Sequence, residues 1–254
     1  MIKLGSLIWR LNNYGLPAVI RYIVFRRLKT SNKLENFDQI RTLEALVDRN
    51  NQNTEGEEKG LILNFNRTYD FVVDLYSDFV SSGNRIKNNI IGNGASNTKF
   101  KVLAYLIEKN RFDLIIETGT QYGSTALFMD RYLQDNNIKC DLVTIDVEMY
   151  PSPKHSSKLI KKYLKSPGRK NFKILTKNLV ESKRKILFFH DSDHTYENML
   201  FEFRWAWNQL DVFCIVSDDI ENNSAFIDFA HSIAKIPIIC KFDFGPAVGI
   251  LQRD

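Results

Sequence analysis

Six short, largely apolar blocks punctuate the second half of this chain, at 114–116, 142–145, 172–175, 186–189, 213–216 and 236–240. Each is rich in Ile, Val, Leu or Phe. A strand with one face in water alternates apolar with polar residues. A strand covered on both faces is apolar at successive positions, as in a parallel sheet sandwiched between helices. The intervening segments supply such helices. Between the fourth and fifth blocks, Tyr196, Met199, Leu200, Phe203, Trp207 and Leu210 fall on one helical stripe, so this stretch predicts a strand–helix–strand crossover. The chain finishes with 236–244, Gly245-Pro246 and 247–251, the pattern of an antiparallel hairpin. Residues 98–254 are therefore expected to form a doubly wound α/β domain with a mostly parallel sheet.

Residues 1–97 have a different texture and are expected to form a helical extension. Leu4, Leu7, Ile8 and Leu11, then Leu16, Val19, Ile20, Ile23 and Val24, keep helical spacing on either side of a break near Gly15-Leu16-Pro17. Polar loops are expected at 50–60 and 81–97, flanking a helix at 64–80. The first thirty residues hold six basic residues and no acid, with Arg10, Arg21, Arg26 and Arg27 at the polar positions. Three uses fit such a segment: peripheral contact with an anionic membrane surface, packing on the domain, or packing on a second copy in a homo-oligomer. The best apolar stretch, 16–25, is interrupted by Arg21 and falls short of the roughly 20 residues needed to cross a bilayer.

The net charge of +5 conceals further segregation. Residues 154–185 carry twelve basic residues and one acid, whereas the remainder outside this stretch and the N-terminal arm holds 17 basic and 29 acidic. Charge separated in this way bears on partners rather than fold. Cys140, Cys214 and Cys240 lie in or beside apolar runs without CxxC spacing. An odd count with no secretory signal predicts buried thiols in a reducing, cytoplasmic setting.

Ligands of doubly wound sheets bind beyond the carboxyl ends of the strands, so the residues after each block are the candidates. The first block continues into Glu117-Thr118-Gly119-Thr120-Gln121-Tyr122-Gly123-Ser124. Two glycines four apart let the backbone approach a ligand, while a helix opening at Ser124 offers free N–H groups. The loop is neither GxGxxG nor a phosphate-binding Gly-Lys-Ser/Thr turn. The second block ends at Asp146, where a carboxylate can accept both ribose hydroxyls of a nucleoside. Together these two features favour a nucleoside cofactor.

The fourth block leads into His190-Asp191-Ser192-Asp193-His194-Thr195, and the fifth into Ser217-Asp218-Asp219. If those strands are neighbours, about 4.8 Å apart, then Asp191, Asp218 and Asp219 converge at one sheet edge. Carboxylates so close raise one another's pKa unless something neutralises them. A hard divalent cation, taking oxygen ligands at about 2.0–2.6 Å, is the simplest neutraliser. Helix capping is the competing use, and it suits Asp193 or Thr195 ahead of a helix starting near Tyr196. His194 is either a general base or a surface histidine at a helix start.

Four stretches, DLIIETGTQYGSTALF (113–128), LVTIDVE (142–148), KILFFHDSDHTYENMLFE (185–202) and VSDDI (216–220), resemble class I S-adenosylmethionine-dependent methyltransferases. Within them, IIETG, the following GST and DSDHTYE are similar to the cephalosporin hydroxylase/rhamnosyl O-methyltransferase-like branch, whose members are metal-dependent and tailor sugars and natural products. The resemblance spans 98–254 and implies a seven-stranded sheet ending in a reversed hairpin. It also implies that Glu117, Gly119, Thr120, Gly123 and Ser124 meet the methionine and ribose part of S-adenosylmethionine and that Asp146 meets the ribose. Asn178, at the tip of the third block, takes the position of an adenine contact. By the same resemblance, Asp191 would lie beside the cofactor and would hold Mg²⁺ with Asp218 and Asp219. Two departures stand out. Leu210-Asp211-Val212 replaces a Pro-Gly-Gly turn, and only about ten residues separate the third and fourth blocks, so the helix usual there is expected to be nearly absent.

The implied function is Mg²⁺-dependent O-methylation of a hydroxylated small molecule, a sugar or glycan-linked acceptor, with His194 and Asp191 at the catalytic centre. The basic stretch 154–185 adds a preference for an anionic acceptor. Two rival functions fit parts of the same sequence. A nucleic-acid methyltransferase would track phosphates with 154–185 and stack bases on Tyr163 and Phe172, but no Asn/Asp-Pro-Pro-Tyr tetrapeptide follows the fourth block. A non-enzymatic docking protein with the same fold would not need intact acidic tips, yet all three carboxylates are present.

Overall fold

The computed structural model describes residues 65–76, 98–147, 163–165, 168–180, 185–240 and 247–254. The basic N-terminal arm, the loops at 50–60 and 81–97, residues 154–162 of the basic stretch and the Gly245-Pro246 turn lie outside the described residues. In chain order the elements are α1 (65–76), α2 (Thr98–Asn110), β1 (Leu114–Thr118), α3 (Ser124–Asp135), β2 (Asp141–Asp146), β3 (Tyr163–Lys165) and α4 (Arg169–Leu179). They continue with β4 (Ile186–His190), α5 (Tyr196–Gln209), β5 (Cys214–Ser217), α6 (Ala225–Ser232), β6 (Ile238–Cys240) and β7 (Val248–Gln252).

The seven strands run in the order β3-β2-β1-β4-β5-β7-β6. Strands β1 to β5 pair in parallel, and β7 pairs antiparallel with both β5 and β6. This is the doubly wound sheet with a reversed C-terminal pair that the apolar blocks predict. Strand order reverses at β1, which pairs with β2 on one side and β4 on the other, and such a reversal opens a crevice above the strand ends.

Consecutive apolar positions are explained by two covered faces. Ile115, Leu142, Leu187, Phe189 and Val216 pack with Val72 and Tyr76 of α1, Phe100 and Leu103 of α2, and Phe128 of α3. Ile116, Val143, Phe188 and Ile215 face Phe172 of α4, Met199 and Phe203 of α5, and Phe226 of α6. Residues 65–76 thus share a core with the sheet. All three cysteines are buried thiols outside any disulfide, and no helix among the described residues is long and apolar enough to cross a membrane.

One block was misassigned. Residues 172–175 are not a strand; they lie inside α4, and the third strand is Tyr163–Lys165, paired with β2. Phe-Lys-Ile-Leu fits a period of 2 or of 3.6 over four residues. The longer window decides for helix: Phe172 and Thr176 are buried and Leu175 and Leu179 half-buried, while Lys173, Ile174 and Lys177 are exposed. Trp205 Nε1 donates to Thr176 Oγ1 at 2.8 Å and ties α4 to α5. The helix expected to be nearly absent is therefore present. The α5 stripe matches expectation, with Met199, Leu200, Phe203, Trp207 and Leu210 buried.

Phe203 is the packing centre of the second face, with its ring against His190 (5.2 Å), Phe229 (5.7 Å) and Phe226 (5.8 Å). Phe203→Ala is expected to cost about 3–5 kcal/mol of stability through lost burial and the cavity left behind. Urea denaturation followed by circular dichroism checks it.

Candidate active site

Parallel register sets the site. Thr118 pairs with His190, and His190 with Ser217, so the residues following β1, β4 and β5 emerge side by side. The backbone carries the contacts onward: Asp191 N donates to Thr118 O (2.9 Å) and Asp218 N to His190 O (3.0 Å). Gly119 has φ +88°, and a Cβ there would lie 2.1 Å from the Asp191 carbonyl oxygen. Only glycine lets the β1 turn cross the β4 tip at this distance. Gln121, two residues on, is held at φ 43° without that freedom, a strained conformation on the cavity wall.

A cavity of about 490 Å³ lies over these tips. One wall is Gly119, Gln121, Asp146 and Val147; the other is Asp191, Ser192, Asp193 and His194, with Arg169 and Phe172 from the start of α4. Asp146 accepts the backbone N–H of Gln121 (2.7 Å) and of Val147 (2.6 Å), which ties the glycine turn to β2.

Other candidates are placed elsewhere. Glu117 and Thr118 point to opposite faces because strand side chains alternate. Glu117 is buried, accepts a hydrogen bond from Thr144 Oγ1, and does not line the cavity. Burial pushes its carboxyl up to about 8. Thr120 is turned inward onto Thr144. Gly123, at φ 79°, caps α3, and Ser124 is the first residue of that helix; neither lines the cavity. Asn178 sits exposed in the last turn of α4, away from the cavity, because its segment is helix rather than strand tip. Arg169 and Phe172 border the cavity in its stead.

The turn after β4 is held from beneath by a residue the sequence reading missed. Glu202 of α5 is buried and accepts Thr118 Oγ1 (2.7 Å), Ser192 Oγ (2.8 Å) and Asn198 Nδ2 (3.1 Å), and it pairs with His190 Nδ1 (2.8 Å). Burial opposes its charge, yet His190 and these hydroxyls hold its carboxyl below the ordinary value. A signal was present: Met199, Glu202, Phe203 and Ala206 share one helical stripe, so the acid interrupts an apolar face. Asp193 accepts the N–H and hydroxyl of Thr195, the turn-forming role foreseen for it. The His194 ring stands edge-on to His190, with centroids 5.3 Å apart. Its Nε2 is buried with no hydrogen-bond partner among the described residues.

At the acidic tips stands a second missed residue. Lys99 Nζ lies 2.7 Å from Asp191 Oδ2 and 3.0 Å from Asp218 Oδ2. Burial disfavours its charge, but the two carboxylates together hold the ammonium above its ordinary pKa. Burial raises Asp191 to about 6, with Lys99 pulling in the opposite direction. Burial and then Asp218 raise Asp219, whose N–H donates to Asp218 Oδ1 at 2.9 Å. Asp191 and Asp218 thus each aim one oxygen at a single cationic atom, which is donor chemistry that suits a cation. Among the described residues, no three His, Cys, Asp or Glu side chains are gathered closely enough to hold a metal as the chain stands. Lys99 carries one local signal, since a lysine in the first turn of a helix opposes the macrodipole.

The buried acid at Glu117 sets a pH dependence. Its folded pKa of about 8 lies above the ordinary 4.5, so folded protein binds the extra proton between those values. Its stabilising contribution is full below about 4.5 and is lost as pH rises through about 8. Wild type is expected to lose stability relative to Glu117→Gln over that window. Urea titrations of both proteins from pH 5 to 9 check it, and parallel curves would exclude a buried neutral acid.

The sequence model of the rhamnosyl O-methyltransferase/CmcI family matches residues 98–229. No curated protein matches the chain. Among solved structures, it is similar to an O-methyltransferase from Bacillus cereus in complex with SAH, at 13% identity over 74% of this chain and 91% of that one, with a TM-score of 0.47. It is also similar to the O-methyltransferase TomG from Streptomyces achromogenes in complex with SAM, at 14% identity over 85% and 99% of the two chains and a TM-score of 0.47. For a Mg-SAM form of CmcI the identity is 17%, over 61% and 71%, with a TM-score of 0.44. The family match takes in the Gly119 turn, Asp146, the turn after β4 and the paired acidic tips, and by it the chain belongs to the rhamnosyl O-methyltransferase/CmcI family of class I S-adenosylmethionine-dependent methyltransferases.

Proposed function

We propose that this protein transfers the methyl group of S-adenosylmethionine to a hydroxyl of a small molecule, a sugar or glycan-linked natural product, with a divalent cation at the acidic tips. The observation that carries this reading is the cavity at the strand-order reversal, with Asp146 on one wall and Asp191 and His194 on the other. Gly119 lets the β1 turn pass directly against the Asp191 backbone, which brings the two walls together. Asp146, oriented by two backbone N–H groups, keeps lone pairs for the two ribose hydroxyls. Val147, 58% exposed, and Phe172 add apolar surface beside it for a flat base.

Methyl transfer from a sulfonium needs little activation of the donor, so the protein's task is alignment and removal of the acceptor's proton. His194 is suited to the second task, because its buried Nε2 lacks a partner that a ligand hydroxyl would supply. Bound at Asp191 and Asp218, a divalent cation supplies a lowered hydroxyl pKa and a fixed acceptor orientation. Arg169, on the cavity wall and stacked over Phe201 at 4.6 Å, brings the basic stretch to the same opening and supports an anionic acceptor.

Calorimetric titration with S-adenosylhomocysteine is expected to show binding that Asp146→Ala weakens at least about tenfold, the loss of one charge-assisted pair. Absence of binding to folded wild type, with or without Mg²⁺, would overturn the reading. His194→Gln is expected to lower kcat by about 10²–10⁴ while S-adenosylhomocysteine affinity stays within about twofold. Undiminished turnover would remove His194 from the proton transfer.

A further inference from the structure

We propose that Lys99 is a built-in cation of the acidic tips: it occupies the position between Asp191 and Asp218, and a divalent metal ion binds there only by displacing it. The inference rests on the proposed function only in assigning these carboxylates to a metal. Its basis is geometry. Nζ lies 2.7 Å from Asp191 Oδ2 and 3.0 Å from Asp218 Oδ2, so the ammonium stands where those two oxygens converge. The side chains of Lys99 and Asp191 are each 17% exposed and that of Asp218 is 5% exposed. The pair is thus screened from the solvent that weakens surface ion pairs.

A metal ion takes carboxylate oxygens at about 2.0–2.6 Å. Placed on the same two oxygens, it would lie almost on top of Nζ, with charges of like sign and no room between them. The two cations therefore exclude each other. Lys99 also has the means to leave. Its charge sits on a flexible four-carbon stem, rooted at the second residue of α2. Holding a lysine in the first turn of a helix costs that helix a little, and the ion pair with two carboxylates offsets the cost. Because Lys99 is tethered, its effective concentration at the site is high and independent of the solution. A divalent ion must compete against that. Metal affinity in this chain is therefore set by Lys99 as much as by the aspartates. In the absence of metal, the lysine keeps Asp191 and Asp218 from repelling each other.

The test is Mn²⁺ binding to the full chain, followed by electron paramagnetic resonance and by thermal unfolding with and without Mn²⁺. Lys99→Met is expected to bind Mn²⁺ at least about tenfold more tightly than wild type and to gain more in Tm from it; Lys99→Arg, which keeps the charge, is expected to stay close to wild type. Adding Asp218→Asn to Lys99→Met should abolish the gain. Lys99→Gln serves as the neutral variant if the methionine variant does not fold. Equal Mn²⁺ affinity in wild type and the neutral variant would overturn the proposal, as would a folded neutral variant that binds none, or tight binding that survives Asp218→Asn. Titration of the same samples with S-adenosylhomocysteine separates the two readings, because loss of cofactor binding there counts against the methyltransferase function and leaves the competition between cations standing.

Discussion

A single buried carboxylate joins the scaffold of this protein to its site. Glu202 sits on the apolar stripe of α5, yet it receives hydrogen bonds from β1 through Thr118 and from the turn after β4 through Ser192, and pairs with His190 at the end of β4. Asn198, one turn earlier on the same helix, completes the set. Each hydrogen bond to a charged group is worth about 1.5–3 kcal/mol, and leaving such a charge unpaired costs more. The network therefore admits few alternatives: the helix, the two central strands and the Asp191–His194 turn must adopt their mutual positions together. Satisfied buried networks of this kind specify one arrangement where apolar packing alone tolerates several.

The two sides of the strand tips solve different electrostatic problems. On the side of α5, a buried anion is stabilised by fixed dipoles and a histidine. On the side of α2, two neighbouring carboxylates are stabilised by a cation drawn from the chain itself. Close by on that side, Glu117 has no cation of its own, and burial favours its neutral form. The carboxyls at this sheet edge thus differ in charge state because their immediate partners differ.

Much of the fold was open to sequence reasoning. The apolar blocks at β1, β2, β4 and β5, the α5 stripe and the reversed C-terminal pair all carry their periodicity in windows of a few residues. The one misassignment, 172–175, shows the limit of such windows, since Phe-Lys-Ile-Leu satisfies either period until Thr176 and Leu179 are counted with it. That error carried Asn178 with it, because a residue at a strand tip faces the ligand crevice and one in the last turn of α4 does not. Gly119, Asp146, Asp191 and His194 were recoverable for the converse reason: each follows a correctly placed strand, or the turn built on one, and topology then delivers it to the cavity.

What the sequence by itself determined is local: which segments bury both faces, where the chain turns, and which polar residues follow the strands. What the tertiary structure decided is which of those residues meet. Lys99 reaches Asp191 across 92 residues and Glu202 reaches Thr118 across 84. No short-range pattern encodes such pairs, because they arise only when parallel strands and their covering helices bring distant turns to one edge. Neutralisation of the acidic tips, foreseen as a task for a metal alone, falls in this structure to a lysine near the start of a helix. Charge type and count are properties of the chain; the distance between charges belongs to the fold.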